Sequence, residues 1–313
     1  IAADSAILSS YDPNSEFSRW FRTSGVPTHV SSELATVLAL FDRWRDRTGG
    51  ALDASAENVS RVWRAAADEQ RLPAASEIET AVAGVRQRHW AIDSAAGTVT
   101  HTSAVPLVLN SFTKSYIVDR AVRAALDVPG VHAAVVNIGG DLVARGPWTE
   151  IVGVTDPRHN ADNEPPMTRL AVRDRAVATS GGYRRGFDIG GRHYSHIVDP
   201  RTGQPTGHVL SATVVAEDAV DAGALATAFC VLPPAESERL AAGVAGVEFL
   251  LVLENGSTIE SAGWRDLTLP TEAPIRLPNP VVTLQAAEQG WTPGFELTVA
   301  VELARTLGRR PYL

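Results

Sequence analysis

One short stretch constrains what this chain can fold into more than any other. Residues 176–203 read AVATSGGYRRGFDIGGRHYSHIVDPRTG. They combine a Thr-Ser-Gly turn, a Gly-Gly pair of the kind that two-residue hairpin turns require, and a His-x-x-Asp-Pro-Arg-x-Gly element. Turn residues and ionisable groups at this density rarely serve packing alone. The stretch therefore predicts short hairpin strands that carry functional groups.

The remainder of the chain mixes helices and strands without the regular alternation of a doubly wound parallel sheet. Apolar periodicity and caps predict helices at 1–8, 15–20, 31–48, 76–88, 112–126 and 219–231. In the fourth of these, Ser76 and Glu79 have the spacing of a capping box. Strands are predicted at 90–93, 98–101, 133–138, 151–154, 170–172, 187–194, 210–216 and 249–254. These elements predict an α+β fold.

Composition restricts the classes of function. The 313 residues are 44% hydrophobic, which is typical of a globular protein with one large domain or two modest ones. The net charge of −8 argues against a broad nucleic-acid surface, although a local anion site stays possible. The one cysteine, Cys230, excludes internal disulfides and a Cys-rich metal site, and its apolar neighbours predict a core residue. No apolar run is long enough to span a membrane, and no signal peptide or lipidation signal is visible.

The character of the chain changes near Pro270. Four prolines fall within 270–280, which is typical of a linker. Alternating apolar residues at 295–303 then predict a half-buried strand. We expect a main domain at 1–270, a Pro-rich linker at 271–280 and a β segment at 281–313. This segment is either the truncated start of a β-rich C-terminal module or a last strand of the main sheet.

Two segments upstream of residue 176 could contact a ligand. Gly139-Gly140-Asp141 follows a buried strand, where glycines permit close backbone approach to a ligand or simply a tight turn. It lacks the G-x-G-x-x-G spacing of a dinucleotide fingerprint. Lys114 lies in the first turn of the helix predicted at 112–126, so that its ammonium and the free backbone N–H groups suit a phosphate. The alternative is an ordinary capped surface helix with a solvated lysine.

The densest stretch supplies further candidates. Ser180 offers a hydroxyl and Gly181 a close backbone approach within Thr179-Ser180-Gly181. His196 could donate a proton or form a hydrogen bond to a ligand. Asp199 could orient that histidine or cap the Asp-Pro turn. We therefore regard His196 and Asp199 as candidate catalytic residues.

The order and spacing of these elements, with Ala224-Leu225-Ala226-Thr227-Ala228 downstream, resemble the ApbE-type FAD:protein FMN transferase family. The resemblance runs from about Ser9 to Leu232. It implies the same α+β fold, with mixed sheets, flanking helices and a first strand that this chain lacks. It also implies an FAD site that includes the following residues: Tyr11, Lys114, Asp119, Gly139, Gly140, Asp141, Thr179, Ser180, Gly181 and His196. Tyr11 would stack near the isoalloxazine, although a loop tyrosine packing on the core is the alternative.

The family pattern around Lys114 is matched only in part. Lys114, Tyr116 and Asp119 agree with it, whereas Asn110, Thr113 and Ser115 replace other residues, two of them glycines. The resemblance implies that the backbone carbonyl of Thr113 faces a metal, and a backbone carbonyl is kept when the side chain changes. The lost glycines narrow the room for a ligand.

The resemblance implies Mg²⁺ as a cofactor, and here the sequence departs from the family. Mg²⁺ is usually held by at least one carboxylate, which the family provides one helical turn before Thr227. This chain has Gly223 there, and Asp221 lies two residues earlier. On a helix, an offset of two residues turns the Asp221 side chain away by about 200°. If the helix begins later, Asp221 lies in a flexible segment before it and could still reach the metal. The expected ligands are Thr113, Thr227 and Asp221, and we expect Gly223→Asp to raise metal-dependent turnover.

The function that the resemblance implies is transfer of FMN from FAD to a Thr or Ser hydroxyl of an acceptor protein, with release of AMP. Because of Gly223, two alternatives stay open: an FAD-binding protein with weak or lost turnover, and an FAD pyrophosphatase. The expected partners are FAD and an acceptor protein, with no nucleic acid. By resemblance, the location is extracytoplasmic, on the periplasmic or cell-envelope side, with membrane association only through a lipid anchor absent from this chain.

Overall fold

The computed structural model describes residues 1–159, 165–183, 185–270, 282–284 and 297–303. Nine helices lie in these ranges: α1 (Ala2–Leu8), α2 (Glu16–Phe21), α3 (Ser32–Arg47), α4 (Ala56–Asp68), α5 (Ala75–Val85), α6 (Thr113–Leu126), α7 (Ala219–Val231), α8 (Pro234–Ala242) and α9 (Trp264–Leu267). Among the described residues, no helix has the length and apolar character needed to cross a bilayer.

The strands are short and pair antiparallel throughout the described sheets. They are β1 (Pro27–His29), β2 (Trp90–Asp93), β3 (Thr98–His101), β4 (Val131–Ile138), β5 (Asp141–Arg145), β6 (Glu150–Val154), β7 (Thr168–Val172), β8 (Ala176–Gly181), β9 (Gly186–Ile189), β10 (Arg192–Ser195), β11 (Val198–Asp199), β12 (Gln204–Pro205), β13 (Val209–Ala216), β14 (Glu248–Leu253), β15 (Thr258–Glu260), β16 (Thr268–Leu269), β17 (Val282–Leu284) and β18 (Leu297–Leu303).

The main sheet has the order β15-β14-β13-β8-β5-β4-β18-β17. Two three-stranded sheets, β1-β3-β2 and β16-β7-β6, and the hairpins β9-β10 and β11-β12 complete the described β structure. Helices α6 and α7 pack on the main sheet, and their apolar faces form the principal core with those of α3 and the central strands. The predicted α+β class with mixed sheets and flanking helices is confirmed.

Helix α3 shows how local sequence determines an element. The Ser31 side chain accepts a hydrogen bond from the backbone N–H of Leu34 and so caps the first turn. Its five predicted apolar residues lie on one face and are all buried: Leu34, Val37, Leu38, Phe41 and Trp44. Burial of such large side chains contributes roughly 1.5–3 kcal/mol each, so α3 is held by its packing more than by helix propensity.

The predicted capping box of α5 is wrong. The helix begins at Ala75, and the side chain of Glu77 accepts a hydrogen bond from the backbone N–H of Ala74 at 2.7 Å. Arg71 forms an ion pair with the same carboxylate, and these bonds lower the pKa of Glu77 to about 2. Glu77 takes the capping role because the helix starts before Ser76, at a position that offers no side-chain cap of its own.

Strand β18 pairs antiparallel with β4 in the main sheet, with Val299 opposite Val136. Of the two possibilities for the C-terminal β segment, this pairing matches the one in which the segment adds a strand to the main sheet. The predicted Pro-rich linker at 271–280 lies outside the described residues. The domain boundaries therefore stay predictions.

Two buried histidines lie at the base of the β2–β3 hairpin. His89 and His101 are each 2% exposed. The His89 Nδ1 lies 2.8 Å from the Ser103 Oγ, and the ring of His101 packs 4.5 Å from that of Phe21, centroid to centroid. Desolvation lowers the pKa of both imidazoles, so both are neutral in the folded protein at neutral pH.

Lowering the pH through about 6.5 should therefore destabilise the protein. Unfolded histidine binds a proton near that pH, whereas the folded imidazoles stay neutral until lower pH. Unfolding therefore takes up protons, and the free energy of unfolding decreases as the pH is lowered. Each unit of pKa depression is worth about 1.4 kcal/mol per ring. Urea unfolding between about pH 8 and pH 5 measures this slope. His101→Phe should reduce it, whereas His29→Phe, on exposed β1, should leave it unchanged; equal slopes in both variants would contradict the assignment.

Candidate functional site

The site begins at the N-terminus of α6. Its N-cap is Phe112, which provides no side-chain hydrogen bond to the first turn, so the leading N–H groups stay available to a ligand. The Lys114 Nζ lies 3.0 Å from the Asp141 Oδ1 and donates to the Gly139 carbonyl at 3.2 Å. The Ser115 Oγ donates to the Asp141 Oδ2 at 2.6 Å. The helix N-terminus and the lysine together favour an anion.

The Gly139-Gly140 turn joins β4 to β5 beside this helix end. Its two residues have φ values of 54° and 93°, in the left-handed region that favours glycine. The Asn137 side chain accepts from the Gly140 N–H at 3.1 Å, and the space around Gly140 is open. The turn places the buried Asp141 carboxylate, 6% exposed, directly under Lys114. The Gly-Gly-Asp motif and Lys114 therefore belong to one cluster.

Helix α7 connects this cluster to β8. The Thr227 Oγ1 donates to the Ser111 carbonyl at 3.1 Å, just before α6, and lies 3.2 Å from the Ser180 Oγ. The Cys230 Sγ lies 3.4 Å from the Ser180 carbonyl. Cys230 is fully buried, which raises the pKa of its thiol to about 12 and confirms it as a core residue. Neighbouring Thr179 instead shares a hydrogen bond with Thr213 on β13.

The His196 segment lies next to the end of β8. Gly182 is so close to Ser195 that a Cβ at residue 182 would overlap the Ser195 Oγ. The His196 Nδ1 lies 3.1 Å from the Arg185 carbonyl, which can only accept, so this nitrogen carries the proton. The imidazole has a solvent-exposed edge, yet the surrounding protein desolvates it and lowers its pKa. His196 is thus a neutral imidazole at pH 7 with its Nε2 lone pair available.

The Asp199 carboxylate is engaged by Arg201, whereas the His196 ring bonds to the Arg185 carbonyl. The Asp199 carboxylate accepts from the Arg201 side chain at 2.9 Å on both oxygens and from the Arg201 backbone N–H at 2.9 Å. Of the two roles that the sequence leaves open, this geometry matches the cap of the Asp-Pro turn. The orientation of His196 instead comes from the Arg185 carbonyl.

Tyr11 lies at the edge of the site on an exposed loop. Its side chain is 76% exposed, so it does not pack on the core. The Asn110 side chain donates to the Tyr11 hydroxyl, and the Ser10 Oγ accepts from the Leu109 N–H at 3.0 Å. These two bonds tie the Tyr11 loop to the segment that leads into α6. An exposed ring held in this way offers a flat surface to an aromatic ligand.

Two predicted residues lie apart from the cluster. Asp119 pairs with Arg123 at 2.6 Å and with Arg145 at 3.7 Å, further along α6. Asp221 lies in the first turn of α7, where it faces Arg43 of α3 at 3.4 Å. Because α7 begins at Ala219, Asp221 is helical and turned away from Thr227, so its prediction as a metal ligand is not supported by the geometry.

The remaining donors fit a protein-held Mg²⁺ poorly. Thr227 and the Thr113 carbonyl offer only neutral oxygens, although the Thr113 Oγ1 is buried without a hydrogen-bond partner. In the part of the chain that the structure describes, no group of three or more His, Cys, Asp or Glu side chains is arranged to hold a metal ion. Mg²⁺ sites in proteins usually include one or two carboxylates. We therefore derive no chemical step through a metal.

Sequence reasoning missed the residues that connect the motifs. Asn110 donates to Tyr11 and Ser115 donates to Asp141, although the sequence marks both residues only as departures from the family pattern. Ser195 lies against Gly182 and so connects the end of β8 to the His196 segment. The surface grooves between α4 and α5 and beside Trp264 share no residue with the site. The structure brings the motifs together in steps: Lys114 contacts Gly139 and Asp141, and Thr227 contacts Ser111 and Ser180. Gly182, two residues after Ser180, then lies against Ser195, the residue before His196.

The fold and these contacts define an α+β protein in which Lys114, in the first turn of α6, lies beside a Gly-Gly-Asp turn. Residues 1–251 match the sequence profile of the ApbE family, and the chain belongs to that family.

Curated relatives and solved structures agree with this assignment. The FAD:protein FMN transferase of Klebsiella pneumoniae is 28% identical over 251 residues, which cover 76% of this chain and 70% of that protein. The one from Treponema pallidum is 29% identical over 266 residues, 77% of this chain and 71% of that protein.

The crystal structure of the ApbE protein from Thermotoga maritima is similar with a TM-score of 0.76 and 28% identity, covering 86% of this chain and 88% of that one. The flavinyl transferase ApbE from Pseudomonas stutzeri gives a TM-score of 0.69 at 27% identity, covering 85% of this chain and 84% of that one.

Proposed function

We propose that this chain is an FAD:protein FMN transferase, which moves FMN from FAD to a Thr or Ser hydroxyl of an acceptor protein and releases AMP. The observation that carries the proposal is that α7 and the Gly182–Ser195 contact bring the α6 N-terminus and the His196 segment to the same end of β8. This arrangement joins a place for phosphates to a neutral imidazole. The names of the relatives support the same reaction.

The phosphates of FAD would lie at the α6 N-terminus. The N-cap residue makes no side-chain hydrogen bond to the backbone N–H groups of the first turn there, and Lys114 adds a positive charge held by Asp141. The Gly139-Gly140 turn leaves open space for close approach. The flavin rings would lie against Tyr11, whose ring is exposed and tethered. Proximity and charge complementarity are the main contributions of such a site to phosphoryl transfer.

In the chemical step, the acceptor hydroxyl oxygen attacks the phosphorus on the riboflavin side of the pyrophosphate. The bond from that phosphorus to the bridging oxygen breaks, and this oxygen leaves with AMP. The hydroxyl proton goes to the His196 Nε2, since its Nδ1 already donates to the Arg185 carbonyl. The lowered pKa of His196 keeps the ring able to accept a proton at neutral pH. The Lys114 charge stabilises the phosphate oxygens as charge develops.

A second candidate function is an FAD-binding protein with weak or lost turnover. Gly223 favours it, because α7 presents no carboxylate one turn before Thr227. FAD pyrophosphatase activity is the outcome in which water replaces the acceptor hydroxyl. Mg²⁺, if it takes part, would arrive with the pyrophosphate.

The test uses the purified chain with FAD and a Thr-containing acceptor, with Mg²⁺ and with EDTA, and weighs the acceptor. A mass gain equal to FMN with AMP released supports the transferase. AMP without the mass gain, or bound FAD with neither product, would replace it by the pyrophosphatase or the binding protein. His196→Gln should lower transfer while FAD binding persists, and His29→Gln on β1 is the matched control.

The proposal extends to location. The family resemblance favours an extracytoplasmic acceptor on the periplasmic or cell-envelope side. Fractionation of cells that express the protein, followed by detection of covalent flavin in each fraction, tests this location. Flavinylated protein confined to the cytoplasm would contradict this location.

A further inference from the structure

Helices α6 and α7 contact each other at the proposed site. Gly223 and Thr227 are four residues apart on α7 and so share one helical face. That face meets the start of α6: Thr227 bonds to the Ser111 carbonyl, and Gly223 abuts Ser115 and Phe112. A Cβ at residue 223 would overlap the Ser115 Oγ and lie 3.1 Å from the Ser115 Cβ and 3.2 Å from the Phe112 Cβ. Ser115 therefore occupies the room that a side chain at 223 needs.

The carboxylates around this contact are already engaged. Both Asp141 oxygens are bound, Oδ1 to Lys114 and Oδ2 to Ser115. Asp221 faces Arg43 and Asp119 pairs with Arg123. Asp141, Asp221 and Asp119 therefore offer no free carboxylate to a divalent cation at the α6 N-terminus. The Thr227 hydroxyl there already donates one hydrogen bond and shares another with Ser180.

We infer that Ser115 and Gly223 together close the position from which α7 would present a carboxylate, so that the protein itself holds no divalent cation between α6 and α7 and relies on Lys114 for positive charge there. The expectation from sequence that Gly223→Asp alone raises metal-dependent turnover is revised accordingly. The new side chain would collide with Ser115 before it could serve as a ligand. Opening the site requires Ser115→Gly as well.

The inference rests on the placement of the site under the proposed function, and its test measures metal binding without FAD or acceptor. The metal-binding result can therefore be interpreted even if the transferase assay detects no activity. Mn²⁺ serves as the probe, because its free aqueous form gives an electron paramagnetic resonance signal that disappears on binding. Wild type, Ser115→Gly, Gly223→Asp and the double variant are titrated side by side.

We expect no stoichiometric Mn²⁺ binding by wild type or by Ser115→Gly, and at least tenfold tighter binding by the double variant. Gly223→Asp alone should melt at a lower temperature than wild type without gaining the site. Stoichiometric Mn²⁺ on wild type would overturn the inference. So would binding by Ser115→Gly alone, which would make Asp141 the ligand, or a double variant that folds and binds no Mn²⁺.

A steric arm keeps the inference testable if the aspartate variants fail to fold. Gly223→Ala adds only the Cβ that overlaps the Ser115 Oγ, so it should lower the melting temperature. Adding Ser115→Gly to this variant should bring the melting temperature most of the way back to that of wild type. If Gly223→Ala melts like wild type, Ser115 does not close the position and the inference is wrong.

Discussion

Replacing Lys114 with methionine should weaken FAD binding about ten- to hundredfold and lower FMN transfer at least as much. A hydrogen bond to a charged group contributes about 1.5–3 kcal/mol, and each 1.4 kcal/mol is tenfold in affinity. The loss of affinity should lie in the upper part of this range. Asp141, Asp221 and Asp119 are already in ion pairs and leave no carboxylate to hold a metal ion, so Lys114 supplies the positive charge beside the α6 N-terminus. Fluorescence titration of FAD and the mass of the acceptor measure the two effects.

The same change carries a cost in stability that must be separated from the loss of binding. Asp141 is 6% exposed, and without Lys114 its buried charge keeps only the Ser115 hydroxyl as a partner. Losing one partner of a buried pair is strongly destabilising, by about 3–5 kcal/mol, although the partial exposure of Lys114 reduces this figure. The double variant Lys114→Met with Asp141→Asn removes both charges. It should recover stability but not FAD affinity. If Lys114→Met binds FAD within twofold of wild type, the phosphates lie elsewhere.

The elements that the sequence predicts well are those specified by local chemistry. Helix α7 has the predicted bounds because Asp218 caps it and Leu232 ends it in an extended conformation. The β9–β10 hairpin turns at Gly190-Gly191, where both φ values are positive. The turn after β4 follows the same rule. In each case a few adjacent residues decide the conformation, so a single sequence suffices.

The parts that the sequence did not reveal depend on contacts between distant residues. Tyr11 and Asn110 are 99 residues apart and meet only in the folded chain. The clash between residue 223 and Ser115 follows from how closely α6 approaches α7, which neither helix encodes alone. The sequence analysis predicts no helix at α4, although Val59, Trp63 and Ala66 share the buried face of that helix. The candidate site was therefore predictable as a set of motifs, but not as a geometry.

The contact between Gly182 and Ser195 joins two of these motifs, and breaking it should have the second large effect. Gly182→Ala should lower the free energy of unfolding by about 3 kcal/mol, the upper part of the range for overpacking. A methyl group at 182 would overlap the Ser195 Oγ and lie 2.7 Å from the Ser195 Cβ. The sequence predicts a turn at Thr179-Ser180-Gly181, but these residues form the end of strand β8. Because Ser195 precedes His196 and Gly182 directly follows β8, the end of β8 and the His196 segment must separate to admit the methyl group.

The displacement should also lower FMN transfer at least tenfold, since an error of about 1 Å in a catalytic group can cost a hundredfold in rate. Urea unfolding and the acceptor mass assay measure the two losses. Gly207→Ala is the control, because the space around Gly207 is open, and it should change neither quantity. Combining Gly182→Ala with Ser195→Gly removes the overlapping atoms and should restore both stability and transfer. Restored stability without restored transfer would show that Ser195 itself, and not the spacing of the two motifs, serves the reaction.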